Sequence, residues 1–310
     1  MLNTILAGTY TDSGSEGIYA FDLLEDGSLS EKRLFAKLNS PKYIDTCDGL
    51  TASIGKFEHG CGAAVIGRGG NVLSTLAFED KTSCYITWHE GKIYTANYHL
   101  GTFSRLLFEN GTLRMDKTVA IKEKAGCHQV LFFQDQILVP ILFLDRIMIF
   151  NEDLDYQGSI QFPEGTGPRH ALFTADGKTM YVLSELSNEL FILDTDGWKL
   201  RGVMPVLPGG ETHLRGSAAI RFGTDESRVY TSTRGQDIIS VIDPDRQTVI
   251  QGAYSGGKHP RDFLITDGFL LSANRYSDTV IAYALSEDGT VGKETGRVII
   301  PQAVSLAVLK

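Results

Sequence analysis

The chain has 310 residues, 42% of them hydrophobic and 22% charged, a balance that fits a globular protein with a full core. Its formal net charge of −9 excludes an extended nucleic-acid footprint, which needs a basic face, so any bound anion has to meet a local cationic cluster. The start, MLNTILAGTYT, has no charged leader region, and nowhere do 18 consecutive apolar residues occur, so neither a signal peptide nor membrane contact is expected. Cys47, Cys61, Cys84 and Cys127 are scattered without a C-x-x-C pair and read as small, reduced, buried side chains of a cytoplasmic protein. No Pro/Ser-rich linker divides the sequence, which favours one domain over residues 1–310.

Strand–turn–strand units follow one another along the chain. The first is TILAGTYTDSGSEGIYAFDL (4–23). GKIYTANYHLGTFSRLLF (91–108), QILVPILFLDRIMIF (136–150), GKTMYVLSELSNELFIL (177–193), SRVYTSTRGQDIISVID (227–243) and GFLLSANRYSDTVIAYAL (268–285) repeat it. The runs are rich in Val, Ile, Tyr and Phe, too short for helices, and punctuated by Gly, Asp, Asn and Ser. First strands begin at Ile5, Ile93, Ile137, Met180, Val229 and Leu270, at intervals of 88, 44, 43, 49 and 41. The first interval is two periods long, and DGLTASIGKFEHGCGAAVIG (48–67) fills the gap with a poor strand pattern. Seven repeats of this length predict an all-β, seven-bladed β-propeller with four-stranded antiparallel blades. An inner strand precedes each hairpin, as in CHQVLFF (127–133), RHALFT (169–174), SAAIRF (217–222) and RDFLIT (261–266). An outer strand follows turns such as ENGTL (109–113). The last segment, AVSLAVLK (303–310), reads as an inner strand that pairs with the first hairpin and closes the ring.

Inner strands of a propeller surround one axis, so the residues at which they begin are neighbours in space. Counting back from the last large apolar residue puts His128, Arg169 and Arg261 at one height, with Ala218 at the matching place in another repeat. The ends of the second strands add Glu185, Arg234 and Asn274. A carboxylate, an imidazole and three guanidinium groups are therefore expected around one pocket, where desolvation tunes His128 or Glu185 for proton transfer. GRGGN (67–71) lacks the features of a phosphate loop, His59, His89 and His99 have no metal-ligand spacing, and DTDGW (194–198) is an incomplete calcium loop. No metal and no cofactor are expected.

In combination, LAGTYTDSGSEGIYAFDL, GCHQVLFFQDQILVPILFLDRIMIF, GTGPRHALFTADGKTMYVLSEL and HPRDFLITDGFLLSANRYSDTVIAYAL resemble the seven-bladed propeller lactonases. That family includes bacterial propeller-type 6-phosphogluconolactonases and fungal 3-carboxy-cis,cis-muconate lactonizing enzymes. The resemblance implies His128, Arg169, Glu185 and Arg261 as catalytic residues, with Arg234 and His170 as further contacts to a phosphorylated sugar lactone. Asn274 joins them as a substrate-binding candidate on strand register alone. The second repeat departs from the family's regular strand pair. Three functions stay open: lactone hydrolysis, lactone-forming isomerisation at the same site, and a non-enzymatic scaffold for protein partners.

Overall fold

The computed structural model describes residues 1–210 and 214–310. Its strands form seven four-stranded antiparallel sheets, arranged as the blades of a β-propeller. In each, strand a lies innermost and strand d outermost. The fifth blade shows the plan: a Pro168–Phe173, b Thr179–Ser184, c Glu189–Asp194 and d Lys199–Pro205. Residues Ala303–Val308 form strand a of blade 1 and pair antiparallel with Asn3–Thr9, its strand b. The ring is closed by this contact.

Tight turns come from the dipeptides that the backbone requires. Asn110–Gly111 and Asp267–Gly268 both take positive φ (51° and 76°, 51° and 81°), the geometry of a two-residue hairpin whose twist matches its strands. Between neighbouring blades lies an apolar layer, and the described residues form seven such layers. The layer between blades 4 and 5, for example, joins Leu138 and Ile149 to Val182 and Phe191, all buried.

Blade 2 corrects the sequence expectation. The segment with the poor pattern is a regular pair, Leu50–Phe57 and Gly60–Ile66, within a complete blade that also holds Ile44–Cys47 and Val72–Glu79. Its strands carry small residues because the neighbouring chain runs close: a Cβ on Gly62 would lie 2.0 Å from the Leu76 carbonyl oxygen. Low hydrophobicity here records tight packing.

Inner strand a of blade 4 is shorter than expected. Regular pairing covers Leu131–Phe133, and Cys127 makes an isolated bridge to Ile141, so His128 sits in a break of the ladder.

Candidate active site

At the mouth where the a-strands begin, their ladders skip a residue. Pairing passes from Pro168 to His170, from Pro260 to Asp262 and from Ser305 to Ala303, leaving Arg169, Arg261 and Val304 unpaired in the register. A bulge of this kind re-aims one side chain. Lys42, Cys84, His128 and Ala218 hold the matching places in blades 2, 3, 4 and 6. Four of these seven residues, Lys42, Cys84, His128 and Arg261, line a cavity of about 190 Å³ together with Tyr10, Tyr98, His99, Glu185 and Arg234.

Glu185 is the hub of its charge network. Its Oε2 accepts from Arg169 Nε at 2.8 Å, and its Oε1 lies 3.0 Å from Arg234 Nη2. Burial works to raise the carboxyl's pKa, but Arg234 and Arg169 outweigh it and hold Glu185 below the usual range. Backbone bonds fix these side chains: Glu185 N donates to Gly167 O, Gly216 N to Glu185 O, and Arg234 N to Gly216 O, at 2.8, 2.9 and 3.0 Å. Arg234 Nε also donates to Gly216 O at 2.9 Å. Gly216 has φ 141°, and a Cβ there would lie 2.4 Å from the Arg234 carbonyl oxygen. Gly216→Val is therefore expected to cost about 1–3 kcal/mol in backbone strain and to separate Glu185 from Arg234. A thermal melt and a rate measurement check this; wild-type values in both would show that the loop yields freely.

His128 is almost fully buried, with Nδ1 3.2 Å from His170 Nε2. Nε2 of His128 makes no hydrogen bond among the described residues and is the ring nitrogen left for the cavity. Burial first, then Arg169, Arg261 and Arg234, press the His128 pKa well below 6.5, so the imidazole is neutral at neutral pH. His170 is lowered in the same way, by burial and then Arg169.

Not every expected residue reaches the cavity. Arg169 is 2% exposed and turns inward, with Nη1 donating to Ala218 O and lying 3.3 Å from His170 Nε2. Burial lowers its pKa to about 10 against the pull of Glu185, which leaves it charged at neutral pH. It positions Glu185 and the His128–His170 pair from behind the wall. His170 is likewise buried, edge-on to the rings of Tyr43 and Tyr85, because alternation along the strand turns it from the face that Arg169 serves.

Asn274 is the clearest correction. Ser184, Thr233 and Asn274 pair with Pro168, Ser217 and Pro260, so the counterpart of Glu185 and Arg234 in blade 7 is Arg275. A slip of one residue reverses the facing. Asn274 is fully buried and donates Nδ2 to Ser255 O at 2.9 Å.

Sequence reasoning missed Lys42, Tyr10, Tyr98, Cys84, His99 and Arg275. A signal for Lys42 was present: Pro41–Lys42 repeats the Pro168–Arg169 and Pro260–Arg261 pairs at the same place in its blade. Arg275 stacks on Tyr10, its guanidinium carbon 3.8 Å from the ring centroid. Arg234, Arg169 and Arg261 act on the cavity's one carboxylate, Glu185, and the fields of Arg234, Arg261, Arg275 and Arg169, after burial, also lower His259, to about 3. Among the described residues no group of three or more His, Cys, Asp or Glu side chains is arranged to hold a metal ion. None of their helices is long and apolar enough to cross a membrane.

Comparison with known proteins agrees with this architecture. A family model described as "Lactonase, 7-bladed beta-propeller" matches residues 4–308. The 6-phosphogluconolactonase of Bacillus subtilis strain 168 is 30% identical over 96% of this chain and 94% of its own length. A crystal structure of a protein from Lactobacillus plantarum superposes with a TM-score of 0.92 at 27% identity, covering all of both chains. The Pseudomonas aeruginosa periplasmic gluconolactonase gives 0.88 at 21% identity over 100% of this chain and 99% of that one, which shows the shared fold. With a family match that spans nearly every strand of the ring, this chain belongs to the seven-bladed β-propeller lactonases.

Proposed function

We propose that the protein hydrolyses 6-phosphogluconolactone to 6-phosphogluconate, the lactone-opening step of the pentose phosphate pathway, without a metal or cofactor. The observation that carries this reading is a cavity with a neutral imidazole on its wall and three cations, Lys42, Arg234 and Arg261, lining it against one carboxylate. Such a field selects an anionic ligand and stabilises the oxyanion that forms when a lactone carbonyl is attacked. The named B. subtilis relative supports the substrate class.

His128 Nε2 takes a proton from water as the water oxygen bonds to the lactone carbonyl carbon. Arg234, on the cavity wall, faces the oxyanion. When the intermediate collapses, the bond from the carbonyl carbon to the ring oxygen breaks and that oxygen takes the proton back from His128, giving a carboxylic acid that ionises and a free hydroxyl and restoring the neutral imidazole. Glu185 holds Arg234 in place, and Arg169 and His170 position Glu185 and His128. A cytoplasmic site suits the four free thiols.

The test is lactone opening measured against the spontaneous rate with freshly generated 6-phosphogluconolactone, with and without EDTA. Acceleration that EDTA leaves unchanged is expected. No acceleration overturns the reading, and a loss restored by a divalent ion overturns its metal-free part.

A further inference from the structure

We infer that Lys42, Arg261 and Arg275, gathered around the ring of Tyr10, form the subsite that holds the phosphomonoester of the substrate. This rests on the lactonase reading for the identity of the ligand, but the geometry stands by itself. Lys42 Nζ and the guanidinium carbons of Arg261 and Arg275 lie 5.6, 5.8 and 3.8 Å from the Tyr10 ring centroid. Three like charges share one aromatic ring, and among the described residues none of them joins an ion pair. The cavity's one carboxylate is spent on the other side, on Arg169 and Arg234.

This asymmetry gives the cavity two ends. On the blade 5 and 6 side, Glu185 offsets two guanidinium groups and repels an incoming dianion. On the side of blades 7, 1 and 2, cations stand together with only a phenol between them. Lys42 is 7% exposed, and among the described residues its ammonium donates one hydrogen bond, to the Thr82 carbonyl at 3.5 Å, so its hydrogen bonds are largely unspent. Arg275 is braced by Gln302, whose Oε1 accepts from its Nε at 2.9 Å. Burial works to raise the Tyr10 pKa, yet Arg261, Lys42 and Arg275 outweigh it, so this corner favours negative charge even on a phenol. A sugar lactone with phosphate at one end and its carbonyl at the other fits this polarity. Its phosphate rests against Lys42 and Arg261, and its carbonyl points to His128 of blade 4.

The experiment uses the full chain as wild type, Lys42→Gln, Arg275→Gln and Arg234→Gln. Inorganic phosphate binding is measured by calorimetry, and kcat/KM is measured on gluconolactone with and without its phosphate. In Lys42→Gln and Arg275→Gln, phosphate affinity is expected to fall about 10- to 100-fold, the weight of one or two charge-assisted hydrogen bonds. The preference for the phosphorylated lactone is expected to fall with it, mainly through KM. Phosphate binding unchanged in both variants, or weakened by Arg234→Gln alone, overturns the subsite. A protein that binds phosphate through Lys42 but opens neither lactone supports the subsite and overturns the lactonase reading instead.

Discussion

A His128→Gln protein is expected to lose about 10²–10⁴-fold in kcat, the usual weight of a positioned general base, while giving a wild-type far-ultraviolet dichroism spectrum. Gln keeps a polar group beside His170 but has no lone pair of comparable basicity to offer water. The pH profile of the wild type separates this role from a structural one. Because burial and then Arg169, Arg261 and Arg234 hold the His128 pKa well below 6.5, the free base persists as pH falls through 6.5. The rate is therefore expected to stay level from pH 8 down past 6.5 and to decline only at more acid pH. An acid limb centred at 6.5 or above would mean that the cations do not govern this imidazole.

Removing the charge of Glu185 has the largest effect on stability. Glu185→Gln leaves Arg169, 2% exposed, without the anion that offsets its desolvation. Breaking a buried pair from one side costs about 3–5 kcal/mol, read as a fall in the denaturant midpoint at an unchanged slope. The double variant Arg169→Met, Glu185→Gln removes both charges and is expected to be more stable than Glu185→Gln alone, with lactone opening expected to be lost in both. A double variant no more stable than the single one would show that Arg169 finds other partners.

How much of this was legible beforehand depended on the regularity of each signal. The repeat length and the final unpaired strand were enough for the propeller and its closure, because hairpin punctuation is local and survives sequence variation. His128, Arg169 and Arg261 could be aligned since their strands end in large apolar residues that mark register. Two things were hidden. Blade 2 has Ala, Ser and Gly where other blades have Val and Ile, so its strands gave no alternation to count, and Lys42 was lost with them. The ladder irregularities at the channel mouth also add or drop a residue against a strict period of two. Arg169 and Arg261 share this irregularity and differ in their partners: Arg169 is drawn inward by Ala218 O and Glu185, whereas Arg261 joins no ion pair among the described residues and lines the cavity. Asn274 ends its strand, and Arg275, one residue beyond, is the counterpart of Glu185 and Arg234 in register.

The closure of blade 1 also sets a clock. Strand b of that blade leaves the ribosome well before its inner partner Ala303–Val308, which comes some 300 residues later. At about 5–20 residues per second, the early strand waits roughly 15–60 s with one edge unpaired. Tyr10 directly follows that strand, and its backbone N–H donates to Gln302 O, just before the late strand. Tyr10 therefore takes its place beside Lys42 and Arg261 only once Ala303–Val308 has emerged. An unfinished chain offers an open edge for aggregation and an unassembled anion pocket, so the appearance of phosphate binding should report completion of the ring.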